Sequence, residues 1–413
     1  MQNVKITKLD NGIRVISENV EHIKSFSLGF WFDTGSRDEN LKNNGISHFI
    51  EHMLFKGTKN RTARKISDEI ESLGGYLNAF TSKEQTCYYG RGLAKNMPKT
   101  FNVLADMVLN PLFKKNDIKK EANVIIDELN DIEDSPEELI FDKFEESIFR
   151  GNSLHYPIIG TEKNILNFSQ SDLFDYVKKQ YGFNNLYIVA SGLVDHEKLV
   201  SLTEKYFGSL SHTITKKRKV FGSAVPESKF VNKDIQQVHV VMGRTTYGFN
   251  NRERTAVSVF SQILGEGSSS RLFQALRERN GITYSINSFL NSFYDVSTFG
   301  VYFSTNERLV KKAQNIISAE FEKIKNKKVT DKELKRAKEY LKGNILMSLE
   351  NTTNRMMRIA QSVILFNRLK TIEETIAEID AVDKDKILEL ANLLLVEKDM
   401  NKIMISSKDH LIN

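Results

Sequence analysis

The sequence predicts an α+β protein of two similar domains, each a mostly antiparallel sheet packed with helices. The chain has 413 residues, which is the usual length of about two or three domains. Short stretches rich in β-branched and aromatic residues alternate with longer stretches of helical periodicity. The elements of the first half return in the second half in the same order, at an offset of about 210 residues.

In the first half, turn and cap residues separate the predicted elements. The turn Asp10-Asn11-Gly12 joins two short strands, because Asn-Gly is typical of tight hairpins. Thr62 caps one helix and Pro136 opens another. The predicted strands are residues 4–9, 13–17, 26–32, 76–80, 85–92 and 185–191. The predicted helices are residues 46–57, 62–74, 98–109, 117–131, 135–149, 171–181 and 195–207.

The second half repeats this outline. Strands are predicted at 238–242 and 298–304, and helices at 252–264, 271–279, 309–324 and 351–365, with Asp331 capping a further long helix. The stretch 280–286 echoes 74–80. A polar, basic segment separates the halves. We therefore predict a metal-binding catalytic domain at 1–208, a linker at 209–228, and a second domain at 229–413 that lacks the metal motif.

Charge and hydrophobicity limit the kinds of partner that we expect. Net charge is +6 but diffuse, and the densest basic run, Lys216-Lys217-Arg218-Lys219, has no aromatic residues between its charges. We expect a solvated linker there and no nucleic-acid partner. No apolar run approaches the length of a membrane span, so no membrane insertion is expected.

The single cysteine, Cys87, excludes an internal disulfide. The first residues resemble neither a signal peptide nor a transit peptide. A bacterial cytoplasm is the expected compartment, with a mitochondrial matrix or a periplasm as alternatives.

The stretch Gly45-Ile46-Ser47-His48-Phe49-Ile50-Glu51-His52-Met53-Leu54-Phe55 carries the clearest chemistry. On a helix, His48 and His52 share a face because they are four residues apart, and Glu51 borders that face. Two such imidazoles can reach one zinc ion, and a neighbouring carboxylate can accept a proton from water. His-x-x-Glu-His is the inverted zincin motif. The alternative is a helix with two half-exposed polar residues.

A third ligand is expected on the long helix, because a hydrolytic zinc site uses three protein ligands and keeps one open position. Glu121 and Glu128 are seven residues apart and share a face. One can bind the metal while the other hydrogen-bonds a ligand histidine. The residues alone leave this assignment open, and a solvated acidic helix face is an equal alternative.

Residues 48–58 and 77–86 together resemble the pitrilysin/insulinase family of zinc metallopeptidases. Their sequences are HFIEHMLFKGT and LNAFTSKEQT. The likeness covers essentially the whole chain and is strongest to the catalytic β subunit of mitochondrial processing peptidase and its bacterial relatives. It implies one Zn²⁺ per chain and two domains that form half of a clamshell.

The resemblance assigns roles to the candidate residues. His48, His52 and Glu128 would bind zinc, Glu51 would act as general base, and Glu121 would hydrogen-bond a ligand histidine.

Further roles concern the substrate. Asn78 and Ala79 would form a sheet edge to which the substrate adds a strand, with little regard to sequence. Arg277 and Tyr284 of the second domain would reach the scissile carbonyl and stabilise the oxyanion. The alternative for this pair is a surface arginine and a half-buried tyrosine.

Processing peptidases prefer arginine near the cleavage point, and the acids that read it match Glu138 and Asp142. Both belong to a run of eight acids without a base between Asp127 and Asp142, which suits basic peptides. Helix-surface acids are the alternative reading. In the mitochondrial enzymes a metal-free partner supplies a long glycine-rich loop, whereas the matching segment here, 265–270, is short.

Because this chain carries the metal motif and the arginine–tyrosine pair together, it is similar to one-gene bacterial relatives, which implies a homodimer. The sequence therefore predicts a zinc endopeptidase that cleaves unfolded or presequence-like peptides near arginine in an enclosed chamber. The alternatives are a non-catalytic core or regulatory subunit with the same fold, and a general oligopeptidase.

Overall fold

A computed structural model describes residues 3–410, which form two compact units. The first unit holds the chain up to Asn130, Tyr156–Lys219 and Ser348–Leu369. The second holds Asp131–His155, Val220–Met347 and the chain from Lys370 onward. Each unit therefore includes one segment from the other half of the sequence, Ser348–Leu369 in the first and Asp131–His155 in the second. The predicted ranges 1–208 and 229–413 assign each of these segments to the other domain.

The helices within residues 3–410 follow the chain as a numbered series, apart from short 3-10 segments. In order they are α1 (Ile46–Leu54), α2 (Ala63–Glu71), α3 (Met97–Leu109), α4 (Lys115–Asp134), α5 (Pro136–Ile148), α6 (Glu162–Ile165), α7 (Gln170–Gln180), α8 (His196–Phe207), α9 (Arg254–Leu264), α10 (Val310–Asn326), α11 (Asp331–Ser348), α12 (Thr352–Phe366), α13 (Ile372–Ala381) and α14 (Lys384–Leu394). A π-helical segment, Phe273–Glu278, lies between α9 and α10. None of the helices in the described part of the chain combines the length and apolar composition needed to cross a membrane.

The first unit contains a six-stranded, mostly antiparallel sheet. Its strands are β1 (Val4–Lys8), β2 (Arg14–Asn19), β3 (Ser25–Phe32), β4 (Tyr76–Thr81), β5 (Thr86–Leu93) and β6 (Leu186–Gly192). Their order is β1-β2-β6-β3-β5-β4, and only the β2–β6 pair is parallel. This arrangement leaves β4 at the edge of the sheet.

Helices cover both faces of this sheet. Successive side chains of β3 point to opposite faces, and nearly all of them are buried. On one face Phe30 packs edge-on against Phe101 of α3 and Phe207 of α8, with ring centroids 5.1 and 5.9 Å away. On the other face Trp31 is fully buried in a cluster with Met356 of α12. The first unit thus completes its core with a helix from the end of the sequence.

The second unit is built on a five-stranded sheet in the order β7-β11-β8-β10-β9. The strands are β7 (Ser228–Asn232), β8 (Gln237–Tyr247), β9 (Thr283–Ser292), β10 (Val296–Asn306) and β11 (Asn401–Ser406). Only the β7–β11 pair is parallel. One face packs on α9, α10 and α14, and the other buries Phe144 of α5 with Val241 and Ile403. The predicted fold class is confirmed.

The basic run at 216–219 differs from the prediction of a solvated linker. Arg218 donates to Asp33 at 3.0 Å and to Asp38 at 2.8 Å, and the Lys216 ammonium lies 3.1 Å from Asp38. Residues 216 and 218 point to the same side of an extended segment, so alternate members of the run reach this acidic pair. The prediction was wrong for the side chains of Lys216 and Arg218, because composition alone does not reveal which acidic residues lie within their reach.

Candidate metal centre

A buried carboxylate sets the start of helix α1. Glu39 accepts hydrogen bonds from the backbone N–H groups of Gly45 and Ser47, both at 2.8 Å, and from the Asn44 amide at 2.9 Å. The N-terminal N–H groups of a helix need such acceptors, and the helix dipole favours an anion there. Gly45 has φ +97°, and a Cβ at this position would lie 2.6 Å from the carbonyl oxygen of Ile159. Only glycine fits this entry to the helix.

The apolar residues of α1 fix its rotation. Phe49, Ile50 and Met53 are almost fully buried. The same rotation places His48 and His52 one turn apart on one face, with ring centroids 4.7 Å apart. The predicted helix and its histidine face are therefore present in the structure.

Glu128 of α4 faces both histidines. One carboxylate oxygen lies 3.7 Å from His48 Nε2, and the other lies 3.6 Å from His52 Nε2. The ligand atoms of the three side chains all lie within 4.8 Å of one another. Ligands bonded to one zinc ion at 2.0–2.2 Å in a tetrahedron are separated by roughly 3.3–3.6 Å. The separations are longer than direct hydrogen bonds and suit a shared metal ion.

The protonation state of His48 also suits a metal ligand. Burial, helped by the neighbouring His52, lowers the pKa of His48 to about 4. The ring is therefore neutral at physiological pH and keeps a lone pair for a metal. Two imidazoles and one carboxylate form a donor set that zinc commonly uses in hydrolytic sites. The three residues fit this metal.

Glu121 lies behind His52 rather than at the shared point. Its carboxylate is buried, accepts from His52 Nδ1 at 3.0 Å, and lies 2.6 Å from the Lys56 ammonium. Burial opposes ionisation of Glu121, but the His52 and Lys56 contacts outweigh it and lower the pKa of this carboxyl. A proton on Nδ1 of His52 leaves Nε2 free toward Glu128. Glu128 therefore faces both histidines, whereas Glu121 contacts only the far side of the His52 ring, a distinction that the sequence spacing did not make.

Glu51 lies on the same helix between the two histidines in sequence, and its carboxylate accepts a 2.6 Å hydrogen bond from the Thr81 hydroxyl. Burial raises the pKa of Glu51, while the Thr81 hydrogen bond acts in the opposite direction. A carboxyl with a raised pKa beside a metal site is suited to accept and release a proton.

Asn78 and Ala79 lie on the edge strand β4. The Ala79 N–H donates to the Asn78 side-chain oxygen at 2.8 Å, and the Asn78 amide donates to the Tyr76 hydroxyl at 2.9 Å. Thr81, at the end of the same strand, contacts Glu51. The edge strand therefore contacts the helix of the metal centre through Thr81 and Glu51. Its pairing with substrate stays a prediction.

Arg277 and Tyr284 belong to the second unit and contact each other. The Arg277 guanidinium lies 5.3 Å from the centre of the Tyr284 ring and 5.2 Å from that of Phe273. It also donates to the Tyr284 carbonyl oxygen at 3.1 Å. Tyr284 is 75% exposed, so its hydroxyl is available to a ligand. The catalytic role assigned to this pair stays a prediction.

Glu138 and Asp142 lie on α5, also in the second unit. Glu138 is exposed and Asp142 is half-buried. Their proposed reading of a basic substrate residue stays a prediction.

Two residues of the centre were missed by sequence reasoning. Strand alternation places residues 77, 79 and 81 on the face of β4 opposite to Asn78, but it does not show that this face meets Glu51. Lys56 follows His52 by one helical turn, and this spacing was visible in the sequence. Neither contact could be identified without knowing which elements meet.

Comparison with known proteins gives two family matches that together span most of the chain. The family model described as Insulinase (Peptidase family M16) matches residues 14–162, and the one described as Peptidase M16 inactive domain matches residues 167–341. An "uncharacterized zinc protease" of Rickettsia felis is 35% identical over 392 residues, which are 95% of each chain. The "uncharacterized zinc protease YmxG" of Bacillus subtilis is 34% identical over 398 residues, or 95% of this chain and 96% of the relative.

Two solved structures share the fold. A protease from Helicobacter pylori superposes with a TM-score of 0.92 at 23% identity, covering 98% of this chain and 100% of that one. A structure from Pseudomonas fluorescens, described as a peptidase M16 inactive domain, has a TM-score of 0.91 at 18% identity, covering 98% and 99%.

Proposed function

Because this chain belongs to the insulinase family of peptidases, family M16, we propose that it is a zinc-dependent endopeptidase. The observation that carries the proposal is the convergence of His48, His52 and Glu128, with Glu51 on the same helix as the histidines. The names of the Rickettsia and Bacillus relatives as zinc proteases support zinc as the metal. In this proposal the chain uses the inverted His-x-x-Glu-His motif.

His48, His52 and Glu128 hold the metal, and bound zinc would polarise the scissile carbonyl and make water easier to deprotonate. Glu51 accepts the proton of the attacking water and then donates it to the leaving amine. The Thr81 hydroxyl fixes the Glu51 carboxylate by its 2.6 Å hydrogen bond. Glu121 keeps the His52 ring turned with Nε2 toward Glu128.

The substrate is an extended peptide that adds a strand to β4. Asn78 and Ala79 supply backbone groups at this edge of the sheet, and Thr81 of the same strand holds the general base. Backbone pairing is nearly independent of side chains, so it admits many sequences but only unfolded segments. This supports unfolded or presequence-like peptides as the substrate class.

Arg277 and Tyr284 stabilise the oxyanion, since both present hydrogen-bond donors and the tyrosine ring is exposed. Glu138 and Asp142 attract a basic residue of the substrate near the cleaved bond. A homodimer and a bacterial cytoplasmic location stay predictions.

The test is hydrolysis of a quenched, arginine-containing peptide by the full chain, together with elemental analysis of its zinc content. We expect one zinc per chain and activity that a chelator removes and zinc restores. Glu51→Gln should retain zinc and lose activity by about 10²–10⁴-fold. Glu71→Gln, which changes an exposed acid on α2, serves as the control and should behave as wild type.

Zinc-free protein with the three ligands intact would contradict the proposal and favour a non-catalytic subunit. Activity that survives Glu51→Gln would contradict the mechanism. Mass-spectrometric mapping of cut sites in a basic presequence peptide separates arginine-directed processing from general oligopeptidase activity.

A further inference from the structure

Lys56 lies just beyond α1, four residues after His52. Its ammonium is 2.6 Å from Glu121 Oε2, and the other oxygen of that carboxylate accepts from His52 Nδ1 at 3.0 Å. One buried carboxylate therefore joins a metal-binding histidine to a lysine. Lys56 has had no role so far, because it is neither a proposed zinc ligand nor the proposed general base.

The two contacts together determine how Glu121 is held. A carboxylate with a single partner can rotate about its terminal bond, whereas partners on both oxygens fix its plane as well as its position. Glu121 is only 4% exposed, so water is largely excluded as a substitute partner. Loss of the lysine would leave a buried carboxylate oxygen without its charged donor.

We propose that Lys56 is a positioning residue of the metal centre. By holding Glu121, it keeps the His52 ring oriented with Nε2 toward Glu128, in the geometry that binds zinc. This inference rests on the proposed function, since it assumes that the centre binds zinc.

The charge of Lys56 and its positioning of Glu121 predict opposite changes in zinc affinity when the lysine is removed, so a measurement can separate them. A lysine ammonium repels a nearby divalent cation, so removing the charge should tighten zinc binding if charge were its only contribution. If Lys56 acts by positioning Glu121, removing it should weaken zinc binding. The sign of the change therefore separates the two explanations.

The experiment measures the zinc dissociation constant of the full chain by competition with a chromophoric chelator. Lys56→Met should weaken zinc binding by about 10-fold, the lower end of the effect of partners behind metal ligands. Lys56→Arg should restore most of the affinity, because arginine can also donate to Glu121. Lys59→Met removes an exposed lysine from the following turn and should leave zinc affinity unchanged. Thermal melting of each metal-free variant identifies any loss of affinity that comes from unfolding.

A double-mutant cycle tests whether Lys56 acts through Glu121. Glu121→Gln should weaken zinc binding, and adding Lys56→Met to it should cause less than about a twofold further loss. An equal loss in both backgrounds, or zinc binding by Lys56→Met as tight as wild type or tighter, overturns the inference. Failure of the wild type to bind zinc is a different result, because it contradicts the proposed function itself.

Discussion

The hydroxyl of Thr81 donates a 2.6 Å hydrogen bond to the carboxylate of Glu51. This contact joins the last residue of the edge strand β4 to the helix that carries both candidate histidine ligands. The strand proposed to pair with substrate and the residue proposed to move the proton are therefore mechanically connected.

Thr81→Val should shift the acidic limb of the pH–rate profile to higher pH. Burial raises the pKa of Glu51, and the Thr81 hydrogen bond opposes that rise by stabilising the ionised carboxylate. Removing the donor leaves burial unopposed, so the base becomes ionised only at higher pH. The measurement is kcat/KM of a quenched peptide against pH. Thr81→Ser keeps the hydroxyl and should keep the wild-type profile; an unshifted limb in Thr81→Val would contradict the coupling.

Zinc should stabilise the wild type against heat but not Glu128→Gln. A ligand that binds only the folded state, present at about 100 times its Kd, stabilises a protein by about 2.7 kcal/mol. Glu128→Gln removes one of three metal-binding side chains, so this gain should be lost. The measurement is the melting temperature with zinc and with chelator. Asp127→Asn changes the adjacent exposed acid and should retain the zinc-dependent shift, and a shift retained by Glu128→Gln would exclude this glutamate as a ligand.

Ala79→Pro should lower kcat/KM for extended peptides by about 10-fold or more while leaving zinc affinity unchanged. Proline lacks the backbone N–H that Ala79 offers at the sheet edge, and edge strands tolerate proline. Steady-state kinetics and zinc titration measure the two effects. Ala63→Pro, at the first position of α2, is a matched control because proline is accepted there. Wild-type kinetics in Ala79→Pro would rule out substrate pairing at this residue.

Tyr284→Phe should lower kcat by about 100-fold, with little change in zinc affinity. An oxyanion donor typically contributes 10²–10³-fold to kcat. The substitution removes only the hydroxyl, and the Tyr284 ring can still contact Arg277. Single-turnover rates measure the loss, and Tyr340→Phe, which removes a hydroxyl from an exposed tyrosine on α11, is the control. An unchanged rate in Tyr284→Phe would remove this residue from the mechanism.

Asp106→Asn should destabilise the fold at neutral pH by about 1–3 kcal/mol. Asp106 accepts hydrogen bonds from Thr58, Asn60, Arg61 and Asn110, at 2.6–2.9 Å, and so anchors the turn that follows α1. Although burial raises the pKa of Asp106, these donors lower it below its usual value.

The pH dependence of this variant follows from that direction. An aspartate whose folded-state pKa is depressed stabilises the protein above its unfolded pKa of about 3.9, and this stability is lost as pH falls below it. Urea unfolding at pH 7, 5 and 4 should therefore show the difference from wild type shrinking only near the lowest pH. Asp68→Asn, on the exposed face of α2, should show no such difference.

The sequence was sufficient for the parts of the fold that depend on local pattern. His48, Glu51 and His52 were identified from helical spacing, and the strands of the first sheet from alternation and turn residues. The later elements were harder, and the strands β7 and β11 and the helices α13 and α14 were not predicted, because these segments carry no motif. Glu128 and Glu121 could be told apart only by family resemblance and then by distance.

Contacts between distant segments were beyond the reach of sequence pattern. The ion pairs of Arg218 with Asp33 and Asp38 join residues about 180 positions apart, and nothing in the basic run indicates them. The same holds for α12, whose Met356 completes the cluster around Trp31. Local periodicity indicates that a face is apolar, but not which element will cover it.

The exchange of α5 and α12 between the halves has a consequence for synthesis. When β6 leaves the ribosome at Gly192, the face of the sheet that contains Trp31 lacks its cover until α12 follows, about 160 residues later. At 5–20 residues per second this delay is roughly 10–30 s, during which an apolar surface is open to chaperones and proteases. Nascent chains stalled before residue 352 should accordingly be cleaved by added protease in the first sheet, whereas chains released at full length should resist.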